Sequence, residues 1–388
     1  SFRATEGILL ILPTGEFELK SFIDTPSLVL DLDIFKSNVK ELLKICNDNG
    51  VSLQPHAKTH RTPELGLLQQ ELGCDGLCVA KVGEAEGFAK AGIKKITIAY
   101  PILGSNKVER ALILSTSIDL TLAVDSLIGA ESIGYVFNQH SQVCPVLLII
   151  DSGLARDGVR PENAPMIAKV IDAVPGIKVV GIMTHEGVVY GAPDRESMVA
   201  SAQQASEMMV SVAKEIAQAG VHISRVSMGA SASARIAPKI PGVNQVRPGI
   251  FAFNDLGQIA LGNATYGTCA VRVLSTIVSR PTSDTAVMDA GSKSLSADLL
   301  PVKELRGQFP GHGLIVGKLG WIIERLSEEH GMLKWIGGGS PQAMHIGEQI
   351  QIIPNHVCTV FSSLNESVVI SRGEIVDRWR TFPPGASR

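Results

Sequence analysis

The chain has 388 residues, 45% of them hydrophobic and 19% charged, with a mean hydropathy of +0.21. That composition supplies core for one large domain and a smaller one, and it excludes an intrinsically disordered chain. The formal net charge is -3, and no block of Lys and Arg stands out, which argues against nucleic acid and against an anionic membrane as partners.

The first 25 residues read as a preface. Residues 8–12 and 16–20 suggest two short strands around Pro13-Thr14-Gly15, and they are expected to join a domain other than the repeating part that follows. The apolar run at 8–12 is too short to span a bilayer, and no A-x-A-like cleavage site follows it. A soluble, cytoplasmic protein is the expectation.

From Pro26 a rhythm sets in. Strand-like runs recur at 27–32, 51–53, 76–80, 95–100, 120–124, 145–151, 178–183 and 225–228. Helix-like runs lie between them. The first has Phe35, Val39, Leu42, Leu43 and Cys46 on one face, with Asp33 as its cap. Others span 62–72, 82–92, 106–116, 126–138, 162–173 and 196–219. Eight strands alternating with helices over some two hundred residues predict an α/β fold, a (β/α)8 TIM-type barrel over 26–260. Apolar strands such as Val146-Leu147-Leu148-Ile149-Ile150 suit a sheet covered on both faces. No G-x-G-x-x-G follows the first strand and no Walker loop is present, which disfavours a doubly wound sheet. Beyond residue 260 short β-rich runs with Gly and Pro between them, and no regular helix, predict a second, mostly β domain over 261–388.

The loops after barrel strands form the active face. After the second strand comes Gln54-Pro55-His56-Ala57-Lys58-Thr59-His60, a lysine between two histidines at a strand-to-helix turn. A lysine so placed suits Schiff-base formation with a carbonyl cofactor, although the stretch alone fits a solvated loop lysine better. After the sixth strand comes Asp151-Ser152-Gly153-Leu154-Ala155-Arg156, and after the seventh Thr184-His185-Glu186-Gly187. The eighth is followed by Ser227-Met228-Gly229-Ala230-Ser231, a loop of small residues and hydroxyls that suits a phosphate. Arg247-Pro248-Gly249-Ile250 lies beyond. A lysine, a phosphate loop and an arginine together suggest pyridoxal 5′-phosphate.

Of the six cysteines, Cys46, Cys74, Cys78, Cys144 and Cys269 read as small buried hydrophobes. Cys358 is set apart by Pro354-Asn355-His356-Val357-Cys358. In an extended segment residues two apart point the same way, so an imidazole and a thiolate there can share one metal, and that pair suits zinc.

These motifs, P-H-A-K-T-H at 55–60, D-S-G-L-A-R-D-G at 151–158, R-P-G-I at 247–250, D-A-G-S-K at 289–293, S-E-E-H-G at 327–331 and P-N-H-V-C at 354–358, resemble those of the fold-type III pyridoxal-phosphate enzymes. The branch is that of D-serine dehydratase and D-threonine aldolase, with the alanine racemase-like architecture. The resemblance implies that Lys58 holds the cofactor, that Arg156 faces the pyridine ring and that His185 sits beside it. It also implies that Ser227, Gly229, Ala230, Ser231, Gly249 and Ile250 surround the phosphate, and that His356 and Cys358 bind a divalent metal. Aldolases of this branch typically show H-x-D with manganese or magnesium, and dehydratases H-x-C with zinc; this chain has H-x-C. The implied activity is that of a lyase on a D-3-hydroxy amino acid such as D-serine, D-threonine or 3-hydroxyaspartate. As a dehydratase it would yield a 2-oxo acid and ammonia, with Lys58 taking the Cα proton. The rival is retro-aldol cleavage to glycine and an aldehyde, with His56 as base for the hydroxyl proton. Two further readings are a cofactor-carrier protein, against which the second domain speaks, and an amino acid racemase, which needs no metal. Relatives of this kind are commonly homodimers. The chain departs from them at Val188-Val189-Tyr190, where many place a histidine, and at Thr359 to Ser363.

Overall fold

The structure, a computed structural model, describes Phe17, Leu19 and residues 22–383; most of the preface, including the run at 8–12, lies outside the described residues. In chain order the elements are β1 (Ser27–Asp31), α1 (Leu32–Asp48), β2 (Ser52–Leu53), α2 (Pro63–Glu71), β3 (Leu77–Val79), α3 (Val82–Ala91), β4 (Lys95–Pro101), α4 (Ser105–Ser115), β5 (Asp119–Val124), α5 (Leu127–Gln139), β6 (Cys144–Ile149), α6 (Ala164–Asp172), β7 (Ile177–Met183), α7 (Arg195–Gln218), β8 (Arg225–Met228) and β9 (Gln245–Val246). There follow α8 (Leu256–Ala260), β10 (Val271–Thr282), β11 (Thr285–Met288), α9 (Ser292–Leu295), α10 (Lys303–Gln308), β12 (Leu314–Ile315), β13 (Trp321–Leu326), β14 (Gly331–Trp335), β15 (Gln349–Ile353), α11 (Val357–Leu364), β16 (Glu366–Ser371) and β17 (Glu374–Arg380).

The chain divides into two compact units. The described residues up to Phe35, with Phe253–Ala260 and Ala264–Arg378, form one. Lys36–Ala252, Leu261–Asn263 and the described residues from Trp379 form the other. These bounds differ from the expected 26–260 and 261–388 at both ends. The tail after β17 packs in the barrel unit: the Phe382 N–H donates to the Arg61 carbonyl at 2.8 Å, and its ring meets Phe88 edge-on at 4.8 Å. A Cβ at Gly87 would lie 2.7 Å from that ring, so glycine makes the seat.

In the barrel unit eight parallel strands run in the order β2-β9-β8-β7-β6-β5-β4-β3. The sheet curls until the segment after β2 meets β3, through Asp75 N–H to the Leu53 carbonyl at 2.7 Å and Cys78 N–H to the Pro55 carbonyl at 2.8 Å. The helices between strands have the lengths expected, and Ala123, Leu147, Ile149 and Met183 pack inside. One strand of the expected eight is corrected. β1 is not a barrel strand; β9, which the reading of the chain did not include, is. Leu28, Val29 and Leu30 are each at most 1% exposed. A strand buried on both faces reads the same in any covered sheet. The cap of α1 is likewise corrected from Asp33 to Asp31, whose carboxylate accepts the N–H groups of Asp33 and Ile34 at 2.9 Å each.

The other unit is built on a mixed sheet, β13-β14-β11-β10-β1-β16-β17, with β15 pairing β10 and β12. β1 lies antiparallel to β10 and parallel to β16. Phe17, Ile23, Val29, Leu274, Val368 and Ile370 make its core. Beyond residue 260 short helices of four to eight residues, α9 to α11, interrupt the strands, where no regular helix was expected. No helix among the described residues is long and apolar enough to cross a membrane.

Candidate active site

Lys58 lies in a 3-10 turn, Ala57–Thr59, that follows β2. His56 caps it: its Nδ1 accepts the Lys58 N–H at 3.4 Å. His60 Nδ1 accepts the Thr62 N–H at 3.0 Å. Both imidazoles are buried while Lys58 itself is exposed. Burial pulls the His60 pKa down to about 3. Burial, then the charge of Lys58, holds His56 well below its ordinary value. The lysine therefore stands between two neutral rings. His56 N–H donates to the Pro248 carbonyl at 2.9 Å, which ties this turn to R-P-G-I. A Cβ at Gly249 would lie 2.4 Å from Thr59 Oγ1 and 2.9 Å from the His56 carbonyl, so only glycine permits that approach.

The D-S-G-L-A-R loop is folded by Asp151, whose Oδ1 accepts the N–H groups of Gly153 at 2.9 Å and Ala155 at 3.0 Å. It presents an exposed Arg156, whose Nε donates to Asp157 at 3.1 Å. His185, at the end of β7, is pulled down to about 3 by burial and by the charges of Lys58, Arg156 and Arg247. The same three cations, with His185, act on His56. The structure thus brings Lys58, His56, Arg156 and His185 within electrostatic reach of one another, and adds Arg247.

Arg247 had no role assigned on sequence grounds beyond its motif. It is 2% exposed. Its Nε donates to Ser227 Oγ at 2.7 Å, Nη2 to the Thr184 carbonyl at 2.8 Å and Nη1 reaches Cys78 Sγ at 3.9 Å. None of these is a carboxylate. A buried cation held by neutral acceptors is costly unless an anion completes it. Ser227, expected beside a phosphate, is instead fully buried, and its hydroxyl donates to Gln245 Oε1 at 2.7 Å while accepting Arg247; it holds the guanidinium. The N–H groups of Gly229 and Ala230, expected to face a phosphate, donate to the Glu186 carboxylate. Ser231 Oγ accepts the N–H groups of Gly249 at 3.1 Å and Ile250 at 2.9 Å. Two backbone donors converging beside the lysine turn, with buried positive charge nearby, fit a phosphorylated aldehyde cofactor.

In the other unit His356 is extended and caps α11, and Cys358 lies in its first turn. The extended H-x-C expected is thus corrected: the two side chains meet because the backbone bends at the cap. Their hydrogen bond, with the Cys358 and Asp255 charges and a hydrogen bond to Asp298, raises His356 to about 10 against the effect of burial. His356 Nδ1 lies 3.0 Å from Asp298 Oδ2. Asn355 Nδ2 donates to the Asp298 carbonyl at 2.9 Å, and the buried Asp255 accepts the Val357 N–H at 3.1 Å. Among the described residues no group of three or more His, Cys, Asp and Glu side chains is placed to hold a metal ion. The donor set, imidazole and thiol with a carboxylate behind the imidazole, fits a two-ligand site for a soft divalent ion whose other positions remain open. The other five cysteines are buried, as expected.

Residues 270–370 match the "Putative serine dehydratase domain". D-threonine aldolase of Arthrobacter sp is 28% identical over 100% of both chains. D-threo-3-hydroxyaspartate dehydratase of Delftia sp. (strain HT23) is 26% identical over 92% of this chain and 97% of its own. Among solved structures, a cysteine-to-alanine variant of D-threo-3-hydroxyaspartate dehydratase in the metal-free form superposes with a TM-score of 0.83 and 26% identity, covering 93% of this chain and 98% of that one. Residues 30–256 match the alanine racemase N-terminal domain, and the chain belongs to that family.

Proposed function

We propose that this protein is a pyridoxal-phosphate and divalent-metal dependent lyase that dehydrates a D-3-hydroxy amino acid to a 2-oxo acid and ammonia. The lyase class is supported by relatives named as dehydratases and aldolases of such substrates. The observation that carries the choice of dehydratase is the H-x-C pair, in which sulfur favours zinc over a harder ion.

Lys58 holds the cofactor, which when bound supplies a sink for the electrons left at Cα. With the cofactor bound, the Lys58 amine would be the base that accepts the substrate's Cα proton. The imidazoles on either side are neutral, so neither adds a positive charge beside it. Arg247 and Arg156 bind anionic oxygens, the first from a buried and fixed position, the second from an exposed loop. His356 and Cys358 hold a zinc ion, which supplies Lewis acidity for departure of the β-hydroxyl. Asp298 accepts from His356 Nδ1 and so leaves Nε2 to face the ion.

The test is a product assay on D-threonine with zinc-loaded and manganese-loaded enzyme. We expect 2-oxobutanoate and ammonia, with zinc the better metal. Glycine and acetaldehyde would replace this reading by the aldolase reading, which the full-length likeness to D-threonine aldolase supports.

A further inference from the structure

The turn after β7 carries an acidic residue that none of the chemistry above uses. Glu186 is 0% exposed. Its carboxylate accepts the N–H groups of Gly229 at 3.0 Å and Ala230 at 3.1 Å, and the hydroxyl of Ser233. Four residues on, Tyr190 Oη accepts the Ser231 N–H at 3.0 Å. Three consecutive backbone N–H groups, which would otherwise make an anion nest, are thus directed at side chains of one turn, 186–190. What remains on offer is the place where the N–H groups of Gly249 and Ile250 converge on Ser231 Oγ. A hydroxyl there can rotate and hand both donors to another acceptor.

We propose that Glu186 is a positioning residue for the cofactor's phosphate seat. Its buried carboxylate is an internal anion that fixes the turn 229–233, so the phosphate ester meets Ser231 Oγ and the N–H groups of Gly249 and Ile250 rather than those of Gly229 and Ala230. The physical reason is satisfaction of buried donors. Without the carboxylate, the two N–H groups lose their acceptor and the Ser233 hydroxyl keeps only the Ala230 carbonyl, so the turn that carries Ser231 must rearrange to pair its donors. The inference rests on the pyridoxal-phosphate reading.

The test compares two ligands that differ only in the phosphate. Dissociation constants of pyridoxal 5′-phosphate and of pyridoxal are measured on the apoenzyme from the absorbance of the lysine-linked chromophore, for the wild type, Glu186→Gln and Glu186→Ala. Glu186→Gln keeps the shape and one acceptor oxygen; we expect it to weaken pyridoxal 5′-phosphate about tenfold. Glu186→Ala is expected to weaken it further and to be partly rescued by added formate. Affinity for pyridoxal should stay within about twofold in both variants, because that ligand never meets the seat. Equal loss for both ligands, or no loss for either, overturns the proposal. If Glu186→Ala fails to fold, Ser233→Ala removes one donor to the same carboxylate and is expected to give the same split with a smaller loss. A wild-type enzyme that takes up neither compound, and behaves as Lys58→Ala does, overturns the cofactor reading together with this one.

Discussion

The two regions proposed to carry chemistry are built in opposite ways. Around Lys58 several polar side chains are buried and already bonded: Arg247 to neutral acceptors, Glu186 to backbone donors, His56 and His60 to the N–H groups of their own turn. At His356 and Cys358 the side chains are half-exposed, and His356 is 42% accessible. Burial with most hydrogen bonds already made prepares a place for a large resident group, since little besides Ser231 Oγ must reorganise when it arrives. Partial exposure suits a small ion whose remaining positions exchange water for substrate.

Substitutions in each region should therefore fail in different ways. The largest effect is expected for Lys58→Ala: the visible band of the protein-linked cofactor disappears, and activity falls by at least about a hundredfold. A band that persists unchanged would take Lys58 out of the site. Cys358→Ala comes next. It should lower zinc affinity, about ten- to a hundredfold on the scale seen when metal-site partners are lost, while the cofactor band is retained. Metal analysis beside the spectrum separates the two regions; loss of the band together with the zinc would mean they are not independently built. The smallest effect is a matter of pH. His60 and His185 fold with pKa values near 3, below the ordinary histidine value of 6.5. The unfolded chain then binds more protons as pH falls, so stability present above pH 6.5 is lost progressively between 6.5 and 3. Thermal midpoints of the apoenzyme should drop across that window and be flat from pH 7 to 8. His60→Gln should shrink the drop, because it removes one of the buried imidazoles; an unchanged slope would contradict the assignment.

Much of this was legible in the chain, for reasons that differ by element. The barrel was legible because strands from β3 to β8 alternate with amphipathic helices, a pattern set by burial alone. β1 was misplaced because Leu28-Val29-Leu30 carries no information about which sheet covers it, and β9 was missed because two residues have no period. Lys58 was visible through its neighbours. Arg247 stood inside a quoted motif, but nothing in its spacing says that the guanidinium is buried beneath Gly229, 3.1 Å from where a Cβ would be. Glu186 was hidden for a similar reason: a carboxylate that pairs with backbone N–H groups more than forty residues away leaves no local pattern. The H-x-C spacing puts an imidazole and a thiol close in the chain, but the helix cap that joins their side chains is a property of backbone angles.

The curl of the barrel sheet is held most lightly beside Lys58. β2 and β9 are two residues each, and the edge of β2 meets β3 through the short segment up to His56. Short strands separate at little cost, so this sector belongs to the part of the structure that opens first in native-state fluctuations. Arg247 reaches from the end of β9 to Ser227, Thr184 and Cys78, and so crosses the seam from within. The buried guanidinium proposed to meet an anion is also the rivet of the ring, and amide exchange at Asp75 and Cys78 would report how tightly it is driven home.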